Sequence, residues 1–151
     1  MVYQENAKQF LYRGFHMREN IRHKCERLEE LRAQAERSTG NIDGVPGGRN
    51  DPHAREGVMA KLVDLQQEIE WDLLDYYDQQ QRAKDLIDKI EDSEIFFVCT
   101  LRYLCHKTWQ EIAEKTGYSM KNVFRLNKAS IEILEGRREN VFIETHIRRD
   151  M

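Results

Sequence analysis

Apolar residues recur at steps of three and four positions along most of the chain, and this periodicity constrains the fold more than any other feature. One stripe lies in the N-terminal part: Met17, Ile21, Cys25, Leu28, Leu31 and Ala35. A second stripe extends over roughly nine helical turns: Val58, Leu62, Leu65, Ile69, Leu73, Tyr76, Ala83, Leu86 and Ile90. The sequence therefore predicts an all-α fold in which residues 1–93 form a long helical hairpin or coiled-coil arm.

Glycine and proline are concentrated between the two stripes. Residues 38–57 contain five of the eight glycines and both prolines, which predicts a long loop. The helices on either side would bury their stripes against each other as an antiparallel hairpin, or against a partner copy, so we expect a homodimer through this arm. The second stripe is close to a heptad, but Asp72 and Gln79 occupy two of its apolar slots and weaken it.

Charge and hydropathy exclude several classes of protein. No apolar run approaches the ~20 residues of a membrane helix, and the N-terminus MVYQENAKQF lacks the apolar core of a secretion signal. We therefore expect a soluble, cytoplasmic protein with no membrane partner. The net charge is −3, but residues 56–93 hold four bases and eleven acids, whereas residues 94–136 hold six and five. The acidity is thus confined to the arm.

Nothing in the sequence indicates catalysis, a cofactor or a metal. The five histidines are scattered, and there is no phosphate-binding loop, HExxH or GxSxG motif. The cysteines, Cys25, Cys99 and Cys105, form no CxxC pair and are predicted to be buried free thiols. Cys105 and His106 are adjacent, so on a helix they diverge by about 100° and make a poor ligand pair.

Local capping signals divide the C-terminal third into three helices. Asp92 or Ser93 is suited to cap a helix that contains the dense apolar run 95–104 and ends near residues 106–107. Thr108 and Glu111 have the spacing of a capping box, in which each would bond the other's amide, and the helix they begin would extend from 109 to about 116. Gly117 is suited to the left-handed residue that ends it, and Ser119 to the cap of a last helix.

Two short helices joined by a tight turn are typical of a helix-turn-helix, which we predict within residues 94–136. Its last helix, 119–134, would bury Val123, Leu126, Ala129, Ile131 and Leu134. The face left over is the predicted DNA-binding surface: Ser119, Met120, Lys121, Asn122, Phe124, Arg125 and Lys128. It contains three bases and no acid, as contact with double-stranded DNA in the major groove requires.

Each side chain of this face suits a particular contact. Arg125 can fork onto guanine, and Asn122 can pair with adenine through two hydrogen bonds. Lys121 and Lys128 suit phosphates. Met120 or Phe124 can touch a thymine methyl group, and Phe124 is notable as a lone aromatic residue on an otherwise polar face.

The segment LRYLCHKTWQEIAEKTGYSMKNVFRLNKASIEIL resembles the C-terminal domain of bacterial sigma factors, region 4, which binds the −35 promoter element. Over residues 7–135 the chain is similar to small phage and prophage proteins of Gram-positive bacteria, of the ArpU and RinA type of late transcriptional regulator. These share a Pro-Gly-Gly turn, as at residues 46–48, and a segment like KLVDLQQEIEWDL. The resemblance implies DNA-bound control of transcription, with RNA polymerase as a further partner.

Two departures from the sigma-factor pattern limit what the resemblance implies about function. Sigma factors have charged residues at the start of the DNA-reading helix, where this chain has Met120, Lys121 and Asn122, so the −35 hexamer is not carried over. The chain also lacks a promoter-melting domain, which favours an accessory regulator. A small terminase subunit, which joins a helix-turn-helix to an oligomerisation region for DNA packaging, and a protein-binding helical adaptor are the alternatives. The tail, 137–151, does not favour any one of these functions.

Overall fold

A computed structural model describes the backbone of residues 5–39 and 52–149, and the side chains of residues 5–37 and 53–136. In this part of the chain the fold is all-α, as the apolar periodicity predicted, and it contains no strand. The helices are α1 (Ala7–Thr39), α2 (Pro52–Ile87), α3 (Ser93–Tyr103), α4 (Trp109–Thr116) and α5 (Met120–Arg149). Helix α5 therefore continues through most of the segment that the sequence set apart as a tail.

Helix α2 begins earlier than the sequence predicted. Residues 52–57, assigned to the loop, belong to α2, and residues 38 and 39 belong to α1. Proline is well tolerated at a helix start, because the first amides have no partner within the helix and its fixed φ is already helical. Pro52 is thus the first residue of α2, whereas composition alone placed the start of this helix after residue 57. The rest of the predicted loop, 40–51, lies outside the described residues.

The chain forms two compact units, one of residues 1–16 and 77–151 and the other of residues 17–76. These limits differ from the boundary after residue 93 that the sequence predicted, since the start of α1 and the end of α2 group with the C-terminal helices. In the first unit these ends share a core with α3 and α5: Ala7, Phe10, Leu11, Ala83, Ile87, Ile90, Cys99, Tyr103 and Leu134.

Helix α1 begins at a capping arrangement. Asn6 Oδ1 accepts a hydrogen bond from the Gln9 amide at 2.8 Å, and the Asn6 amide donates to Gln9 Oε1 at 3.0 Å. The Ala7 amide donates to Glu135 Oε2 of α5 at 2.6 Å. Three of the amides at the start of α1 are thus satisfied, and the last bond attaches α1 to α5.

Gln79, which occupies an apolar slot of the second stripe, is buried in the first unit. Its Nε2 donates to the Phe10 carbonyl at 3.0 Å, and its Oε1 accepts from Gln80 Nε2 at 2.7 Å. Gly14 makes room for this amide, since a Cβ at position 14 would lie 2.8 Å from Gln79 Oε1. The polar residue is therefore compatible with the core because its donor and its acceptor are both used.

In the second unit, α1 and α2 share an apolar cluster of Leu28, Leu31, Leu62, Leu65 and Ile69. Asp72, the other polar slot, accepts hydrogen bonds from Lys24 Nζ at 2.6 Å and Asn20 Nδ2 at 3.2 Å. The hydrogen bond from Lys24 to this carboxylate raises the pKa of the lysine. Asp72 therefore supplies a polar link between α1 and α2 in place of an apolar contact.

Candidate nucleic-acid interface

Helix α3 begins as predicted and ends three residues earlier than predicted. Asp92 caps it, since its Oδ1 accepts hydrogen bonds from the amides of Glu94 and Ile95, both at 3.0 Å. The last helical residue is Tyr103. His106 then adopts a left-handed backbone with φ of 54°, which no α-helix accommodates, and the chain turns toward α4.

Helix α4 has the ends that the sequence signals predicted. Thr108 Oγ1 accepts from the Glu111 amide at 3.1 Å, and Gly117 ends the helix with φ of 75°. The Gly117 amide donates to the Ala113 carbonyl at 2.9 Å. The Glu111 carboxylate lies 3.9 Å from Lys107 Nζ.

Helix α5 begins after a turn of three residues, 117–119. Ser119 Oγ accepts a hydrogen bond from the Asn122 amide at 3.1 Å, so Ser119 caps α5 as predicted. The first turns of α5 pack against α3 and α4 through one cluster: Val98, Leu101, Ile112, Val123 and Leu126. This cluster fixes which side of α5 faces outward.

Further along α5, the buried stripe differs slightly from the prediction. Leu134 and Ser130 are fully buried, whereas Ala129 and Ile131 are half-buried. Ser130 is compatible with a buried position because its hydroxyl donates to the Asn127 carbonyl at 2.6 Å. Asn127 Oδ1 in turn accepts from the buried Tyr103 hydroxyl of α3 at 2.6 Å.

The seven predicted DNA-binding residues lie together at the start of α5. Six are exposed and Asn122 is half-buried: Ser119, Met120, Lys121, Asn122, Phe124, Arg125 and Lys128. Met120 retains 40% and Phe124 46% of its accessible surface. We call these seven residues the α5 face. Its three cations and its lack of acids give it a positive local charge.

Two residues of the α5 face are bonded to each other. Arg125 donates from both Nε, at 3.1 Å, and Nη2, at 2.8 Å, to Asn122 Oδ1. From the sequence, each of these side chains was predicted to contact a base of its own. Pairing with adenine needs both the oxygen and the nitrogen of the amide. An amide oxygen has two lone pairs, and the two nitrogens of Arg125 engage both, so Asn122 has no acceptor left for adenine in this arrangement. In the observed arrangement Asn122 positions the guanidinium.

Phe124 is less free than its sequence context indicated. Its ring packs edge-on against Trp109, the first residue of α4, with ring centroids 5.3 Å apart. The Arg102 guanidinium lies over the other ring of this pair, 4.1 Å from the Trp109 centroid. Phe124 therefore has a packing role as well as an exposed edge.

Arg102 was not singled out from the sequence, although it connects several parts of the first unit. Its guanidinium carbon also lies 4.6 Å from the Phe15 ring centroid of α1. Its Nη1 donates to the Lys107 carbonyl at 2.8 Å, in the turn before α4. A charged side chain between aromatic rings gains cation–π energy where it is partly desolvated. No local signal in the sequence marks this role, because the rings that Arg102 contacts lie on α1 and α4.

All three cysteines are free thiols, but only Cys99 is buried, so the prediction is wrong for Cys25 and Cys105. Burial raises the pKa of the Cys99 thiol to about 12. Among the described residues no cluster of histidine, cysteine and carboxylate side chains is arranged to hold a metal ion. No helix in this part of the chain has the length and apolarity needed to cross a membrane.

Comparisons of the chain with protein-family models, with curated proteins and with solved structures gave no match.

Proposed function

We propose that this protein is a DNA-binding transcriptional regulator that places the start of α5 in the major groove. The observation that carries the proposal is the α5 face: three cations and no acid on the exposed first turns of a helix whose opposite side is buried. The phage or prophage setting, and RNA polymerase as a further partner, rest on the resemblance to late regulators and region 4 of sigma factors.

The arrangement of α4 and α5 supports this proposal because it matches what groove binding requires. A helix-turn-helix presents the N-terminal residues of its second helix to base edges, while the first helix crosses the backbone. Here α4 has eight residues, and three residues separate it from α5. The side chains that would meet the groove come from the first three turns of α5.

The three cations of the α5 face have different surroundings, which suit them to different contacts with DNA. Lys121 and Lys128 are exposed, and within the described residues neither forms a salt bridge, which suits contact with phosphate oxygens. Arg125 is oriented by Asn122 and suits the two acceptors of guanine. Two phosphate contacts correspond to a salt slope of about −2 in log K against log salt, which is modest. A single α5 face therefore supplies weak non-specific affinity.

Selection from a library of random DNA duplexes, followed by fluorescence anisotropy on the recovered sequence, tests the proposal. We expect the double variant Arg125→Ala, Lys128→Ala to weaken binding by at least about tenfold, since a lost guanine contact alone is worth about 1–3 kcal/mol. A matched control with the same change in charge is Arg55→Ala, Lys61→Ala, at exposed positions of α2.

Circular dichroism of both variants must match that of the wild type, so that folding is held constant. Equal affinity of the two variants would refute the assignment to the α5 face. Recovery of no preferred sequence, together with no loss of binding as salt is raised, would refute DNA binding altogether.

A further inference from the structure

Helix α2 has a second apolar surface besides the one it buries against α1. Within the second unit, four large apolar side chains of α2 are exposed to between 50% and 68% of their surface: Met59, Val63, Trp71 and Leu74. At about 100° per residue, they are turned by roughly 90–150° around α2 from the buried Leu62, Leu65 and Ile69. We call these four residues the outer stripe.

The outer stripe is comparable in size to the largest apolar patches of monomeric proteins. If each side chain is given roughly 150–250 Å², the range for aromatic side chains, the exposed fractions correspond to about 350–600 Å² of surface. The largest apolar patch of an ordinary monomer is about 300–600 Å² and is commonly functional. Such a stripe is better explained as one side of an interface.

We propose that the outer stripe is the surface through which two copies of this chain associate. Two such stripes would remove about 700–1,200 Å² from water before any neighbouring residue contributes, which is close to the lower limit of about 1,000 Å² for a specific interface. A face used twice in a symmetric dimer must be compatible with itself. The positions between Val63 and Trp71 on this side are Gln66, Gln67 and Glu70, so the middle of the face has one formal charge.

Charge around the outer stripe is compatible with the association of two copies. Residues 17–37 and 53–76 hold eight bases and eleven acids, which is a small excess. Two of these acids, Glu68 and Asp72, are already paired with Lys24. The acidic composition of α2 is thus partly compensated within the unit, and the repulsion between two copies is moderate.

Glu70 gives the proposal a distinctive signature. In a dimer of identical chains two Glu70 carboxylates enter the same partly desolvated interface, where burial without a cation is unfavourable. Glu70→Gln should therefore tighten self-association, and added salt should not weaken it, because salt screens the like charges. Association with a basic partner would instead be weakened by Glu70→Gln and by added salt.

Sedimentation equilibrium of the full chain is the test. We expect a monomer–dimer equilibrium that Trp71→Ala and Leu74→Glu each weaken by at least about tenfold, as loss of an interface anchor does. Gln34→Glu, which adds a charge at an exposed position of α1, should leave it unchanged. The Glu70→Gln variant should dimerise several-fold more tightly.

Three results would overturn the proposal: a monomer at concentrations up to about 100 µM, well above a micromolar Kd; a dimer that the two stripe variants do not weaken; or a ring of eight or more copies. The proposal is independent of DNA binding. The variant Arg125→Ala, Lys128→Ala is therefore expected to dimerise normally, and a protein that dimerises without binding DNA would refute the proposed function alone.

Discussion

The bond between Asn122 and Arg125 makes a quantitative prediction about DNA recognition, which rests on the proposed function. If Asn122 acts only by holding the guanidinium, Asn122→Ala weakens DNA binding in the presence of Arg125 and has no further effect in its absence. If the two side chains contact different bases, as predicted from the sequence, their effects add. A double-mutant cycle separates these mechanisms.

The size of the effect follows from the two hydrogen bonds at 3.1 and 2.8 Å. An arginine side chain has about 2 kcal/mol of rotamer entropy. Holding the guanidinium in place before DNA binds saves about half of this entropy cost, since Arg125 is exposed and only the end of its side chain is restrained. We therefore expect Asn122→Ala to cost about 1 kcal/mol, or roughly fivefold in Kd, and Arg125→Ala to cost about 1–3 kcal/mol.

The double variant should then bind no more weakly than Arg125→Ala, giving a coupling energy near 1 kcal/mol, whereas independent sites couple by less than about 0.5 kcal/mol. Fluorescence anisotropy at one fixed salt concentration supplies the four Kd values. The pair Asn122 and Lys128, between which the structure has no hydrogen bond, is the additive control. Additivity at Asn122 and Arg125, with relaxed specificity at a second base pair in Asn122→Ala, would refute the positioning role.

Two further predictions concern the first unit. Gly14→Ala should lower the free energy of unfolding by about 1 kcal/mol in urea denaturation, because displacing the Gln79 amide costs about 1–3 kcal/mol against about 1 kcal/mol gained in helix propensity. The control, Gly57→Ala, should instead stabilise the protein, since its added methyl group meets no atom within 4 Å. A stabilised Gly14→Ala variant would contradict the packing of Gln79 against Gly14. Since the pKa of Cys99 rises from 9.0 to about 12 on folding, the unfolded chain loses this proton first, so stability should fall as pH rises above about 9, by about 1 kcal/mol at pH 10. Cys99→Ala should reduce that loss in urea denaturation at pH 8 and 10, and an unchanged pH dependence would show that the thiol does not contribute.

The ends of the short helices could be predicted from sequence because their signals are local. Thr108, Gly117 and Ser119 each act on a backbone group within four residues, as the bonds to Glu111, Ala113 and Asn122 illustrate. Their chemistry is therefore complete in a short window of sequence. The exposed residues at the start of α5 follow from the apolar pattern, because Val123 and Leu126 determine which side of the helix is buried.

Long-range partners could not be predicted in this way. Gln79 looked like a defect in an apolar stripe because its acceptor, the Phe10 carbonyl, is 69 residues away. The position of Pro52 was ambiguous for a different reason, since proline suits a loop and the first turn of a helix equally well. Composition therefore placed the start of α2 too late.

The position of Arg102 explains why Phe124 was only partly understood from sequence. An exposed aromatic residue on a basic face suggested a contact with thymine, but its ring lies against Trp109, which is covered on its own ring face by Arg102. Since Trp109 is the first residue of α4 and Phe124 lies in the second turn of α5, this stack helps to set the angle between the two helices. A thymine methyl group would meet the remaining exposed part of a ring that is already held in place. In the proposed function, Phe124 therefore links the packing that orients α5 to the surface that reads DNA.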